Sequence, residues 1–148
     1  LSGPALHQRD SHHSIHLAAN GEAEELTGLL RECFRHGEPQ RALELALLLV
    51  EHWETRTIRH AQAEEEGFYL ECLDRRPSLR EVIVTLKRDH DLMRILLKEI
   101  KEELSDQAFN ESILARFDAM LLINQIHGRE EERMLLEQSP EEREDEES

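Results

Sequence analysis

An all-α fold, an antiparallel up-down-up-down four-helix bundle, is what this sequence predicts, on three observations. Glycine and proline are sparse, 6 and 4 of 148 residues, and the chain is rich in Leu, Glu, Ala and Arg, which lose little rotamer freedom in a helix. Apolar residues recur at three- and four-residue steps through four long segments, with no alternating strand pattern. Only a few residues join each segment to the next, so consecutive helices must turn back on one another.

The first segment runs from Asp10 or Ser11, either a suitable N-cap, to Arg35, where His36 and Gly37 stop it and Pro39 lies beyond. Its inward face carries Ala19, Ala23, Leu26 and Leu30, and one turn back from Ala19 the same face holds His16. The second segment begins near Pro39, which suits a first helical turn, and ends by Leu73, ahead of Asp74 to Pro77. Its stripe is Leu43, Leu47, Val50, Trp53, Thr57, His60 and Glu64. Ser78 and Glu81 are spaced as a capping box for the third segment, which continues to Leu104 with Ile83, Leu86, His90, Met93, Leu97, Ile100 and Leu104 inward. Asn110 caps the fourth, whose inward positions are Ile113, Phe117, Met120, Asn124, His127, Glu131 and Leu135. One bundle over residues 11–138 is expected. Before it lies an unstructured 1–10, where Leu1 to Pro4 reads as a cloning remnant, and after it a disordered acidic tail at 139–148.

Charge and composition remove several function classes. Lys and Arg total 18 against 33 Asp and Glu, a net charge of -15, so the field that draws phosphate backbones or anionic lipid is missing. Neither nucleic acid nor a membrane is an expected partner, and no apolar run approaches the roughly 20 residues of a membrane span. No signal-peptide pattern opens the sequence, and the cytoplasm is the expected location. Cys33 and Cys72 form no C-x-x-C, which argues against a disulfide framework or a thiolate zinc site. A Gly-rich phosphate loop, a G-x-S-x-G elbow and a His-Glu-x-x-His motif are all absent from the sequence.

What is unusual is polar residues where a core should be. Each stripe carries a histidine, and two carry a carboxylate one turn later, in His60-x-x-x-Glu64 and His127-x-x-x-Glu131. Residues i and i+4 project from one helix face, so an imidazole nitrogen and a carboxylate oxygen can converge on one ion. A lone histidine on such a face is more often a hydrogen-bonded core residue. Two buried carboxylates converging with four histidines, however, are costly without a cation to neutralise them. Imidazole and carboxylate without thiolate suit iron, manganese or zinc, and the set has ligands for two ions. His12 and His13 are the rivals to His16, whose register continues directly into Ala19 and Ala23. His7, His36 and His52 fit no stripe and read as surface residues.

His16, His60-Ala-Gln-Ala-Glu64-Glu65, His90-Asp91 and His127-Gly-Arg-Glu-Glu131, in that order over Ser11 to Gln138, resemble the hemerythrin-like family. The resemblance implies a four-helix bundle around an oxo- or hydroxo-bridged pair of iron ions, with His16, His60, Glu64, His90, His127 and Glu131 at ligand positions and the two glutamates bridging. Iron is implied in this way, and manganese or a mixed pair stays open. The oxygen-carrying members have a second histidine one turn after the third-helix ligand, where this chain has Arg94, and an aspartate five residues after the last histidine, where it has Glu131 at four. Six ligands rather than seven leave an extra coordination position open. The reduced set is similar to that of bacterial di-iron proteins associated with repair of damaged iron-sulfur centres.

The expected function is therefore binding of, and redox reaction with, a small oxidant: dioxygen, peroxide or nitric oxide. The chain would then be an oxidoreductase. An iron- or oxygen-sensing module without turnover is the alternative. Arg94 is expected either to reach the open end of the site or to form a surface salt bridge, and Trp53 and Thr57 either to wall the site or simply to pack in the core. Gly67 either leaves room for a ligand or marks a helix irregularity. Glu65, Glu66, Glu130 and Glu132 flank these positions and are expected either to face solvent or to hold a ligand imidazole by its other nitrogen, and Tyr69 receives no role.

Overall fold

The computed structural model describes the backbone of residues 3–136 and the side chains of residues 13–136. The acidic tail expected at 139–148 and the side chains of His7 and His12 lie outside the described residues. Helix α1 (Gly3–Arg35) is unbroken. It starts upstream of the expected Asp10 or Ser11 cap and includes most of the stretch 1–10 for which no structure was expected. Pro4 suits a first turn, and a nucleated helix extends at little cost through Ala5, Leu6 and Gln8. It ends as the sequence requires: Gly37 takes φ +68, and the Glu38 amide donates to the Cys33 carbonyl at 2.9 Å.

The second rod is not one α-helix. Helices α2 (Pro39–His52), α3 (Arg59–Ala63) and α4 (Tyr69–Arg75) follow end to end through single π turns, Trp53–Ile58 and Glu64–Phe68. A 3-10 turn, Pro77–Leu79, then leads into α5 (Arg80–Leu104). The Ser78 and Glu81 capping box does not form, because the 3-10 turn places Leu79 at the cap and its amide already donates to Arg76 at 3.0 Å. The Asn110 cap does form, its side chain accepting from the Ile113 amide at 3.0 Å at the head of α6 (Glu111–Glu131). A third π turn, Glu132–Leu136, continues α6.

The α1 rod packs on α2 and α6, and α5 packs on α6 and α2, which closes a ring of four antiparallel rods. No strand occurs among the described residues, and no described helix is long and apolar enough to cross a membrane. Two apolar clusters fill the bundle. The larger includes Leu30, Ala46, Leu49, Trp53, Met93, Ile100 and Phe117, and the smaller Phe68, Tyr69, Cys72, Leu79, Ile83 and Leu86. Along α5 the order is Leu86, His90, Met93, and along the second rod it is Trp53, His60, Glu64, Phe68. The polar residues thus form a belt between the two clusters.

Most inward assignments stand, since Ala23, Leu30, Leu43, Val50, Trp53, Met93, Leu97, Phe117 and Asn124 are buried. Leu47 is the exception. It is 49% exposed, while Ala46 and Leu49 take the core positions on α2.

Candidate metal centre

All six residues singled out from the stripes meet in the belt. Glu64, His90, His127 and Glu131 are buried and form one group, and His16, His60 and Glu64 form another, with the donor atoms of each group within 4.8 Å of one another. Glu64 belongs to both. The individual separations are 3.4 Å from His90 Nε2 to Glu64 Oε1, 3.7 Å from His60 Nε2 to the same oxygen, 3.2 Å from His127 Nε2 to Glu131 Oε2 and 3.5 Å from His16 Nε2 to Glu131 Oε1. Each carboxylate therefore faces two imidazoles carried on different rods.

The outer nitrogens show how the rings are oriented. His90 Nδ1 donates to Glu65 Oε2 at 2.9 Å, and His127 Nδ1 donates to Asp89 Oδ2 at 3.0 Å. A carboxylate acceptor fixes the proton on Nδ1, so in a neutral ring Nε2 presents its lone pair inward. The two Nε2 atoms stand 3.1 Å apart. Two lone pairs at that distance repel unless a proton or a cation lies between them. With side chains alone the proton sits on His127. Burial lowers its pKa, but the hydrogen bonds to Asp89 and Glu131 outweigh this and raise it to about 9, while burial and the neighbouring His127 lower His90 to about 4. Burial and the adjacent Glu131 push Glu64 up to about 11.

This donor set is of the kind that holds a metal cation. Donors bonded at about 2.1 Å lie about 3.0 Å apart in an octahedron and about 3.4 Å apart in a tetrahedron, and the separations above fall around those lengths. Two carboxylates and four imidazoles without sulfur are borderline-to-hard ligands of the kind that hold iron, manganese or zinc.

Tyr69, which the sequence reading left without a role, is buried in the belt. Its hydroxyl donates to Glu131 Oε2 at 2.6 Å and lies 3.4 Å from His90 Nε2 and 3.5 Å from His127 Nε2. Its ring stacks on His90, 6° from parallel. Burial, followed by the nearby Glu131 and Glu64, raises its pKa and keeps the phenol neutral among protein groups alone. Asp89 was also missed, and of the four flanking glutamates expected to face solvent or hold an imidazole, Glu65 holds His90.

Arg94 does not reach the inner site. It pairs with Glu65 Oε2 at 2.6 Å and Asp91 Oδ1 at 3.2 Å, so it acts on His90 through Glu65. Thr57 lines a small inner cavity of about 20 Å³ together with Ile15, His16, His60, Met93 and Asn124. Trp53 does not line it and belongs to the apolar core, with a buried indole N–H that has no acceptor among the described residues. A larger surface hollow of about 460 Å³ shares Ile15, Ala19, Arg56 and His60 with this cavity. Gly67 lies in the π turn Glu64–Phe68, a helix irregularity, and a β-carbon there would meet nothing within 4 Å.

His13 is more than half exposed and pairs with Glu132 at 2.6 Å, which removes it as a rival to His16. His36 is exposed as expected. His52 is instead half-buried, with Nε2 donating to the Ala19 carbonyl at 3.1 Å and tying the second rod to α1. Gly128 on α6 makes room for His16: a β-carbon there would stand 2.8 Å from His16 Nδ1.

A four-helix bundle that brings two carboxylates and four imidazoles into its interior is a cation-binding bundle. The hemerythrin HHE cation-binding domain matches residues 12–139, and the chain belongs to that family. No match is found among curated proteins or among solved structures.

Proposed function

We propose that this chain holds two iron ions on His16, His60, Glu64, His90, His127 and Glu131, and that the loaded centre binds and reduces a small oxidant such as dioxygen, peroxide or nitric oxide. The observation that carries the reading is that Glu64 is common to both donor groups while Glu131 faces His16 and His127 from two rods. Two shared carboxylates suit a pair of ions better than one. When bound, ferrous iron supplies the electrons for the reduction.

The protein's own contribution is orientation, access and charge. Glu65 and Asp89 fix the imidazole tautomers, and the apolar clusters above and below the belt exclude bulk water. A cavity of about 20 Å³ has room for about one water-sized molecule, which suits a diatomic or peroxide and not an organic substrate. It is lined by His16, His60, Glu64, His90 and His127, so a small ligand there would meet the centre directly. Manganese or a mixed pair would use the same donors.

The test is to load the protein anaerobically with ferrous iron and mix it with each oxidant in turn, following consumption of the oxidant and oxidation of the metal. Turnover supports the redox reading. Stoichiometric iron without consumption of any of the three would favour the second reading, an iron- or oxygen-sensing module. That alternative draws on the burial of Glu64 and Glu131, which ties fold stability to cation loading.

A further inference from the structure

Tyr69 receives no role from the sequence, yet its hydroxyl stands among the inner donor atoms of the centre. Tyr69 Oη, His90 Nε2 and His127 Nε2 form a triangle with sides of 3.4, 3.5 and 3.1 Å, and Glu131 Oε2 adds a fourth corner 2.6 Å from the phenol oxygen and 3.2 Å from His127 Nε2. The sides of 3.1 to 3.5 Å are close to the edges of a coordination polyhedron with bonds of about 2.1 Å, while the 2.6 Å separation is the hydrogen bond from the phenol to Glu131. A hydroxyl serving only as a hydrogen-bond donor to Glu131 has no need to sit almost equidistant from two imidazole nitrogens whose lone pairs face inward.

The local helix geometry explains how it gets there. Tyr69 follows Glu64 by five residues, and the π turn Glu64–Phe68 between them bonds i to i+5, which carries the fifth residue towards the face that the fourth would occupy in an α-helix. Stacking against the His90 ring then fixes the phenol in plane, and its full burial leaves the oxygen no solvent to face.

Resting on the two-ion reading above, we infer that Tyr69 is a seventh protein ligand, its oxygen bound to the ion held by His90 and His127. Binding as the phenolate releases the hydroxyl proton to solvent. The ion held by His90 and His127 then carries one more protein ligand, and an exogenous ligand reaches the centre through the small cavity that His16, His60, His90 and His127 all line. Arg94, by contrast, serves His90 from outside through Glu65.

Tyr69 is the sole tyrosine of the chain, so a tyrosinate signal has one source. The experiment is visible absorption and resonance Raman spectroscopy of the ferric-loaded full-length protein, with iron per chain measured on the same sample, for wild type and Tyr69→Phe. The expected result is a visible phenolate-to-iron charge-transfer band with enhanced tyrosine ring modes in the wild type, and complete loss of both in Tyr69→Phe at unchanged iron content. Should the variant fail to fold, ring-deuterated tyrosine in the wild type decides, since the enhanced modes must shift. Wild-type protein carrying two ferric ions without the band or the ring modes overturns the assignment and leaves Tyr69 as a hydrogen-bond donor to Glu131. Protein that binds no iron overturns the assignment together with the two-ion reading, so the two failures are distinguishable.

Discussion

Replacing Gly128 by alanine separates the demands of the fold from those of the centre. In a helix interior the change alone stabilises by about 1 kcal/mol, because glycine loses more backbone freedom on folding. At this position the new β-carbon meets His16 Nδ1 at 2.8 Å, and an ordinary contact begins at 3.4 Å, so one of them must yield by 3.4 − 2.8 = 0.6 Å. The His16 ring, at the end of a side chain, is the cheaper one to move, and the fold is largely spared. A ligand displaced by more than about 0.5 Å from its productive position is ineffective. The expected outcome is a metal-free melting temperature equal to or above wild type, together with at least a roughly tenfold loss of metal affinity, about 1.4 kcal/mol. Calorimetry of the chelated protein and competitive titration of ferrous or zinc ions against a chelator measure the two quantities. Gly21→Ala on α1 is the control, since a β-carbon there meets nothing within 4 Å, and it should stabilise without changing affinity. Wild-type affinity in Gly128→Ala would refute the placement of His16 at the centre.

Four further outcomes follow from the same geometry. Asp89→Ala frees the outer nitrogen of His127 and should weaken metal binding by about 10- to 100-fold in a chelator competition, while Asp91→Ala, at an exposed residue paired with Arg94, should change it little. Arg94→Ala should weaken binding less than Glu65→Ala does, because Arg94 acts only by holding Glu65; an equal loss would mean that the guanidinium reaches the ions directly. Glu64→Gln should leave the chelated protein as stable as wild type or more so at neutral pH, since burial already keeps this carboxyl protonated there, yet it should abolish stoichiometric loading; thermal melts with and without metal test both halves. Metal uptake should release protons in a weakly buffered titration at pH 7.5. Glu64 with its pKa raised to about 11 and His127 with its pKa raised to about 9 both hold a proton at that pH, so affinity should fall as pH is lowered, and uptake without proton release would contradict the ligand roles of both.

The six converging residues were legible in the sequence because α-helical periodicity carries them. His90 sits between Leu86 and Met93, and His127 and Glu131 continue the line of Phe117, Met120 and Asn124. His60 and Glu64 were reached by the same steps although the π turn Trp53–Ile58 precedes them. Tyr69 escaped because the π turn at Glu64–Phe68 shifts the phase of everything after it, and no composition rule marks that turn in advance. Asp89 escaped for a different reason. Next to His90 in sequence it reads as a solvent-facing neighbour, and only the packing of α5 on α6 brings it to His127. Arg94 was placed on the right helix face, but which carboxylate it would meet depends on how the second rod is rotated against α5, and the two π turns set that rotation. Leu47 shows the same limit on α2, where the three-and-four pattern fits two registers and Ala46 with Leu49 takes the core. Connections were read well where one residue's chemistry decides them, as at Gly37 and Asn110, and poorly at Ser78, where a competing 3-10 turn satisfied the backbone first.

The most direct test of a two-ion centre is the metal content of the chain, purified without a metal-affinity tag and offered ferrous iron anaerobically, with His60→Ala and Glu131→Ala alongside. The expected result is about two irons per wild-type chain, fewer in each variant, and a melting temperature that rises on loading only where both ions are retained. Wild-type protein with no stoichiometric metal, or variants that match it in metal content and thermal stability, would contradict the centre.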